Sequence, residues 1–286
     1  MNEIWQIGDI KVTRIVEMEV VGGSRFILPD ATREACLPYS WMQPHFMDES
    51  GNLVMSIHAL VIEVGDRRII VDTCIGNDKE RSIPNWSNLQ TNFLKDMENI
   101  GYPVESIDTV LCTHLHVDHV GWNTRLVNDQ WIPTFENARY LIGEDEWAYW
   151  DANEDPTSYG NVMDDSVRPV IEAGLVDLVS TSETIAPGIR LESTPGHTPG
   201  HVSVFLESRG EAAVITGDCI HHPCQITRTD WCSSADYDKD KGRATRENIL
   251  ERLVETNVLV IGTHFATPTA GHIRHYPEGG YWLDVS

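Results

Sequence analysis

Six consecutive residues, His114-Leu115-His116-Val117-Asp118-His119, carry four strong metal ligands, and they stand where a strand ends. The preceding Thr109-Val110-Leu111-Cys112-Thr113 is apolar and β-branched, so it reads as a buried strand. A loop leaving such a strand is aimed by a rigid sheet, the usual place for functional side chains. In an extended loop His114 and His116 point the same way, because side chains alternate with period two. Asp118 and His119 follow after a turn and can face the same point from another side. Imidazoles with one carboxylate suit zinc, iron, manganese or cobalt far better than calcium or magnesium.

Four ligands cannot close two metal sites, and three further candidates stand downstream. His197 lies in Thr194-Pro195-Gly196-His197-Thr198-Pro199-Gly200-His201, a tight loop after the strand Gly188–Ser193. Asp218 closes Ala213-Val214-Ile215-Thr216-Gly217-Asp218, and His264 follows Val258-Leu259-Val260-Ile261-Gly262-Thr263. Each ends an apolar strand, and placement along one sheet edge is what a convergent site requires.

This pattern resembles the metallo-β-lactamase superfamily over nearly the whole chain. The family's H-x-H-x-D-H stands at His114 to His119, and its later His, Asp and His match His197, Asp218 and His264 in order. The resemblance implies an α/β fold, an αββα sandwich with mixed β-sheets and outer helices. It also implies two divalent metal ions, Zn2+ in the first place, with Mn2+, Fe2+ or Co2+ as alternatives. His114, His116 and His197 would hold one ion, Asp118, His119 and His264 the other, and Asp218 would bridge them. Asp72, in Val71-Asp72-Thr73, matches the family carboxylate that orients a ligand histidine.

Candidate ligands drawn from positions 114 to 264, with no Ser/Gly-rich linker or internal repeat, point to one domain over residues 1–286. Lys and Arg total 21 against 44 acidic residues, a formal net charge of −23, and no basic run interrupts it. That field repels a phosphate backbone, so nucleic acid is not an expected partner and the superfamily's nuclease branches are disfavoured. A small-molecule substrate is expected instead. The start, Met1-Asn2-Glu3-Ile4-Trp5-Gln6, lacks a signal-peptide pattern, and no apolar run approaches a membrane span. Six cysteines without a C-x-x-C pair read as reduced thiols of a cytoplasmic protein. Cys219 follows Asp218 directly and is a minor ligand candidate.

Hairpins are expected over 4–20 and 57–73, with turns at Gly8-Asp9 and Gly65-Asp66, and helices over 87–100 and about 243–256. Two long segments read as irregular. Residues 22–56, rich in aromatics and proline, suit a lid or a dimer arm. Residues 145–169 carry Trp147, Tyr149, Trp150, Pro156, Tyr159 and Met163. Trp122, three residues beyond His119, is close enough in sequence to line a pocket.

Two divalent ions about 3.5–4 Å apart can lower the pKa of a shared water towards 7, so no side-chain nucleophile is needed. The chain agrees, since it has no G-x-S-x-G elbow. The residues around the ligands look like those of small bacterial hydrolases that include acyl-homoserine lactonases (quorum quenchers), methyl parathion hydrolase and chlorothalonil dehalogenase. That likeness implies lactone or ester cleavage, with phosphotriester hydrolysis or hydrolytic dehalogenation behind it and a homodimer by analogy. Compact lactonases of the family place a tyrosine three residues after the bridging aspartate. Here that position is His221, followed by His222, so either histidine is expected to donate to the substrate oxygen, and His272 to reach the pocket mouth. β-Lactam hydrolysis, glutathione-thioester hydrolysis and diiron redox chemistry fit less well. A non-catalytic scaffold would have lost ligands, and all seven positions are intact.

Overall fold

The structure, a computed structural model, describes residues 3–22, 24–153 and 159–286. Met1, Asn2, Gly23 and Pro156, named or spanned above, lie outside the described residues. The chain separates into two compact units, Met1–Glu17 with Ile57–Thr181, and Met18–Ser56 with Ser182–Ser286.

The first unit is built on strands β1 (Ile4–Ile7), β2 (Ile10–Val21), β3 (Val54–Val64), β4 (Arg67–Val71), β5 (Thr109–Leu111), β8 (Arg139–Gly143) and β9 (Val176–Val179), with β6 (Thr124–Val127) and β7 (Gln130–Pro133) as a separate ribbon. The seven-stranded sheet runs in the order β1-β2-β3-β4-β5-β8-β9. The two expected hairpins are present, β1–β2 and β3–β4 both pairing antiparallel. Strands β4, β5, β8 and β9 pair in parallel, and the runs Ile69–Val71, Thr109–Leu111 and Tyr140–Gly143 of the first three are buried, as inner parallel strands require. The parallel register Val71↔Leu111↔Leu141 brings the ends of β4, β5 and β8 to one edge of the sheet. Asp72, the histidine-rich loop and the helix Glu144–Asn153 all leave from that edge.

The second unit carries strands β10 (Thr184–Ala186), β11 (Ile189–Ser193), β12 (Val202–Ser208), β13 (Glu211–Ile215), β14 (Leu259–Ile261), β15 (Ala270–His275) and β16 (Tyr281–Asp284), in chain order across a seven-stranded sheet. Only β13 and β14 pair in parallel, Ile215↔Ile261, so the segments bearing Asp218 and His264 leave one edge together. The helix Lys239–Leu253 packs Ile249, Leu250 and Leu253 into this unit's core. It starts earlier than the apolar spacing implies because Asp238 caps it, accepting from Lys241 N at 3.0 Å.

The helix expected over 87–100 is confined to Phe93–Asn99. Asn88 takes φ 51, and Asn77 exchanges hydrogen bonds with Thr91 through both backbone groups, so a side chain holds the preceding residues as a loop. Segment 145–169 is more regular than its composition implies. It contains most of the helix Glu144–Asn153 and a π turn, Met163–Val167, that runs into the helix Arg168–Glu172. That turn is clamped from within. Arg81 meets Asp165 through two hydrogen bonds of 2.6 and 2.8 Å, and Lys79 donates to Thr124 Oγ1 at 2.8 Å. Lys79 is fully buried, and burial, opposed by Asp165, pulls its ammonium down to about 7.

Among the described residues of segment 22–56, short helical turns and a bridge, Met47↔Leu53, precede the start of β3 at Val54, and its apolar residues are not idle. Leu28, Cys36, Met42, Phe46, Met47 and Leu53 belong to the second unit's core together with Ile220, Trp231 and Phe265. No helix among the described residues is long and apolar enough to cross a membrane.

Candidate functional site

In the first unit the loop after β5 is fixed by a buried carboxylate at the end of β4. Asp72 accepts from Thr113 N and Thr113 Oγ1, each at 2.8 Å, and from His119 Nδ1 at 2.8 Å. Because Thr113 spends its hydroxyl proton on Asp72, its oxygen must accept from His114 Nδ1, 3.0 Å away. Both rings therefore carry their proton on Nδ1 and leave Nε2 as a lone pair. The rings of His114 and His119 lie 4.0 Å apart and those of His114 and His116 4.7 Å apart, while Asp118 Oδ1 is 3.7 Å from His119 Nε2. The four residues of the hexapeptide thus converge as expected.

Two more acids, Glu146 buried and Glu17 partly so, brace this loop. Glu146, in the first turn of the helix after β8, accepts from Leu115 N at 2.9 Å and from Trp150 Nε1 at 2.7 Å through one oxygen. Trp150 sets its ring edge-on to His116, at 5.4 Å, and Tyr159 lies 6.0 Å from the same imidazole. Glu17, on β2, accepts from Ile75 N at 2.8 Å and from Trp122 Nε1 at 2.7 Å, which fastens the segment after Asp72 to the segment after His119. Burial holds the Glu17 carboxyl above its ordinary range, against the pull of these donors. The two segments run so close that a Cβ at Gly121 would fall 1.8 Å from Ile75 O, so only glycine fits there. Trp122, expected at a pocket wall, is almost fully buried and stacks on Phe93.

In the second unit Asp218 is the hub. Its Oδ2 lies 3.3 Å from His197 Nε2 and 3.3 Å from His221 Nε2, and its Oδ1 lies 3.2 Å from His264 Nε2. The remaining nitrogens of two of these rings are tied back. His197 Nδ1 donates to Asp236 Oδ1 at 2.8 Å and His264 Nδ1 to the Ser56 carbonyl at 2.9 Å. Burial pulls the His197 imidazole down, but Asp218 and Asp236 outweigh it and hold it at about 9. Asp236 is itself fixed by Ser233 N at 2.8 Å. The Asp218 amide donates to His201 Nε2 at 2.8 Å, so His201 Nδ1 must donate to Thr194 Oγ1 at 2.9 Å.

Of the other expected contacts, His221 joins this cluster, and burial pushes its imidazole down to about 3. His222 does not join. Its Nε2 is bonded to the Phe46 carbonyl at 2.9 Å and its Nδ1 accepts from Cys224 N at 3.1 Å, so neither nitrogen remains for a substrate. His272 sits within β15 with Nδ1 on the Val258 carbonyl at 3.1 Å. Cys219 is buried, and burial pushes its thiol up to about 12, which keeps it protonated and a poor ligand.

Both clusters fit divalent metal. A metal-binding histidine characteristically gives its outer ring N–H to a carboxylate or carbonyl, which fixes the tautomer and presents the other nitrogen. His119, His197 and His264 each do so here. Sequence reasoning found Asp72 but missed Asp236, Glu146, Glu17 and His201. Asp236 lies in a plain polar turn, Ser233-Ser234-Ala235-Asp236, and Glu146 resembles the acids common in any first helical turn.

The family model of the metallo-beta-lactamase superfamily matches residues 53–264. The chain belongs to the metallo-β-lactamase superfamily. Among curated members, an N-acyl homoserine lactonase from a Bacillus species is 25% identical over 119 residues, 42% of this chain and 40% of the relative. A probable metallo-hydrolase of Methanocaldococcus jannaschii is 25% identical over 158 residues, 55% of this chain and 64% of that relative. The matched stretch thus spans about two-fifths of the length of the Bacillus lactonase. Among solved members, a hydrolase of the beta lactamase superfamily, AbOPH, superposes with a TM-score of 0.79 at 23% identity, covering 100% of this chain and 97% of its own. AidC, a dizinc quorum-quenching lactonase solved with N-hexanoyl-homoserine product, gives 0.79 at 19% identity over the same shares. These likenesses establish the superfamily fold, mixed α/β with two mixed seven-stranded sheets and few helices.

Proposed function

We propose that this protein is a dinuclear metal-dependent hydrolase that opens lactones or simple carboxylic esters, its metals held by the two His/Asp clusters. The observation that carries the reading is the outward tethering of His119, His197 and His264, which spends each Nδ1 on a fixed acceptor and keeps each Nε2 for a ligand bond. Following the superfamily pattern, His114, His116 and His197 would hold one ion, Asp118, His119 and His264 the other, with Asp218 shared. Zinc suits this donor set, as do manganese, iron and cobalt. When bound, the ions would supply Lewis acidity and a water of lowered pKa.

The chain's own residues then have defined tasks. Asp72 and Asp236 hold two imidazoles in the tautomer that a ligand needs. Asp118, whose side chain is 13% exposed, is the loop carboxylate open enough to take a proton and pass it to a leaving alcohol. Trp150 and Tyr159, half-buried beside His116, offer apolar surface to an acyl or aryl group. Lactone cleavage leads because the curated relatives include N-acyl homoserine lactonases. Phosphotriester hydrolysis or dehalogenation is the second reading, favoured by His221 where compact lactonases carry tyrosine. We further propose a cytoplasmic homodimer. Five of the six cysteines are buried free thiols, which supports the compartment, and light scattering tests the dimer.

The test is turnover of acyl-homoserine lactones, simple lactones, aryl esters, paraoxon and a chlorinated aromatic nitrile by zinc-, manganese- or cobalt-loaded protein. Lactone turnover abolished in His116→Ala is the expected result. Phosphotriester or nitrile turnover without lactone turnover moves the protein to the second reading. Absence of bound metal in loaded, folded protein refutes both.

A further inference from the structure

Asp218 Oδ2 has two imidazole nitrogens at the same distance, His197 Nε2 and His221 Nε2, both at 3.3 Å. Hydrogen bonds from imidazole to a carboxylate close to about 2.7–2.9 Å, as the outer bonds of His119 and His197 do at 2.8 Å. A spacing of 3.3 Å is instead the edge of a tetrahedron whose bonds are roughly 2.0–2.1 Å, the lengths of zinc–nitrogen and zinc–oxygen bonds.

His221 is 1% exposed, and neither of its ring nitrogens has a hydrogen-bond partner among the described residues. Burying an imidazole without a partner costs free energy that a core histidine normally recovers through hydrogen bonds. His222, its neighbour, does recover it with both nitrogens. The His221 ring is also held in place. Its backbone N donates to Gln225 Oε1 at 2.7 Å, Gln225 is fixed in turn on the Trp231 carbonyl at 2.7 Å, and the ring meets His197 edge-on at 4.6 Å. Asp236 lies within ligand range of His197 and His221, yet its oxygens are taken by His197 Nδ1 and Ser233 N.

We propose that His221 is a metal ligand in its own right, its Nε2 binding one divalent ion together with Asp218 Oδ2. This rests on the reading of the Asp218 cluster as metal-binding and goes beyond the seven positions of the superfamily pattern. It assigns His221 to the metal instead of to a substrate oxygen. An added imidazole also tilts the site towards zinc, cobalt or iron and away from manganese.

The experiment uses the full chain loaded with Co2+, comparing wild type with His221→Ala and the smaller change His221→Gln. Visible d–d absorption and competition with a chromophoric chelator are read, and near-UV circular dichroism confirms folding. The expected result is an altered d–d spectrum and at least a tenfold weaker Co2+ at one site in either folded variant, with free imidazole restoring the band in His221→Ala. Wild-type spectra and chelator competition in a folded variant overturn the proposal, and a raised KM alone would return His221 to the substrate. If His221→Ala does not fold, His221→Gln decides by the same readings. Failure of wild type itself to bind Co2+ refutes the metal-binding reading together with this one, so the two failures are distinguishable.

Discussion

Replacing Asp72 by asparagine changes one atom and should disable one metal ligand. Asp72 accepts three hydrogen bonds, from Thr113 N, Thr113 Oγ1 and His119 Nδ1, all at 2.8 Å. The asparagine oxygen can keep the first, and the threonine hydroxyl can rotate to accept from the new amide. His119 cannot adapt so cheaply. Facing an N–H donor, it must shed its Nδ1 proton and carry it on Nε2, the nitrogen intended for metal. The residue sits at φ 56, which asparagine tolerates nearly as well as aspartate, so no backbone strain confuses the result. Loss of one charge-assisted bond costs about 1.5–3 kcal/mol of stability. Disturbing the residue that orients a ligand typically costs about 10–100-fold in metal affinity, or roughly 1.4–2.7 kcal/mol of binding. Asp72→Ala strips both acceptor oxygens, and with them all three hydrogen bonds, and adds about 1–2 kcal/mol of left-handed strain, so it should be clearly less stable than Asp72→Asn. Urea unfolding of metal-free protein and zinc competition against a fluorescent chelator measure the two effects. Wild-type zinc affinity in folded Asp72→Asn would refute the tautomer argument.

Metal uptake should tighten as pH rises. His197, held at about 9 in the metal-free chain, carries a proton below that pH which an incoming ion must displace. That group alone contributes up to about tenfold in affinity per pH unit, levelling near pH 9. Asp236→Asn should move the plateau down, and a flat profile from pH 6 to 9 contradicts the assignment. His222→Phe should destabilise by about 1–3 kcal/mol by orphaning the Cys224 N–H, the Phe46 carbonyl keeping its bond from Val54 N, while zinc stoichiometry stays at the wild-type value; lost zinc would place His222 in the site after all. Lys79 has its folded-state pKa lowered to about 7 from an ordinary 10.5, so the unfolded chain binds more protons between those values and stability should climb with pH across that window. Lys79→Met should flatten the climb in urea midpoints, and an unchanged slope would exclude Lys79 as its source.

Much of the site was legible because metal ligands need particular side chains, and those side chains cluster at strand ends. The hexapeptide and the three later ligands could be placed from apolar runs and turn residues alone. The supporting acids could not. Glu17 lies on a strand nearly sixty positions before the Ile75 and Gly76 amides it accepts from, joined by pairing that no local pattern reveals. Glu146 reads locally as a helix-start acid, and only the parallel register of β5 with β8 brings it to Leu115. His221 and His222 are adjacent and chemically identical, so sequence could not say which faces Asp218. The fold separates them by turning one towards the Phe46 carbonyl. The 87–100 helix failed for a local reason, a side chain of Asn77 competing for the backbone of Thr91.

The bond from His222 to the Phe46 carbonyl has a consequence for how this unit can be inherited or re-engineered. Residues 24–53 carry core side chains that interlock with Ile220, Trp231 and Phe265, and Phe46 sets its ring edge-on to His222 at 6.3 Å. A chimera exchanging residues 22–56 with those of a homologue, joined only at its two ends, would disturb the acceptor of the buried His222 Nε2 and mismatch a packed face immediately beside Asp218. The segment and the stretch from 218 to 231 must travel as one block, although more than 160 residues of chain separate them.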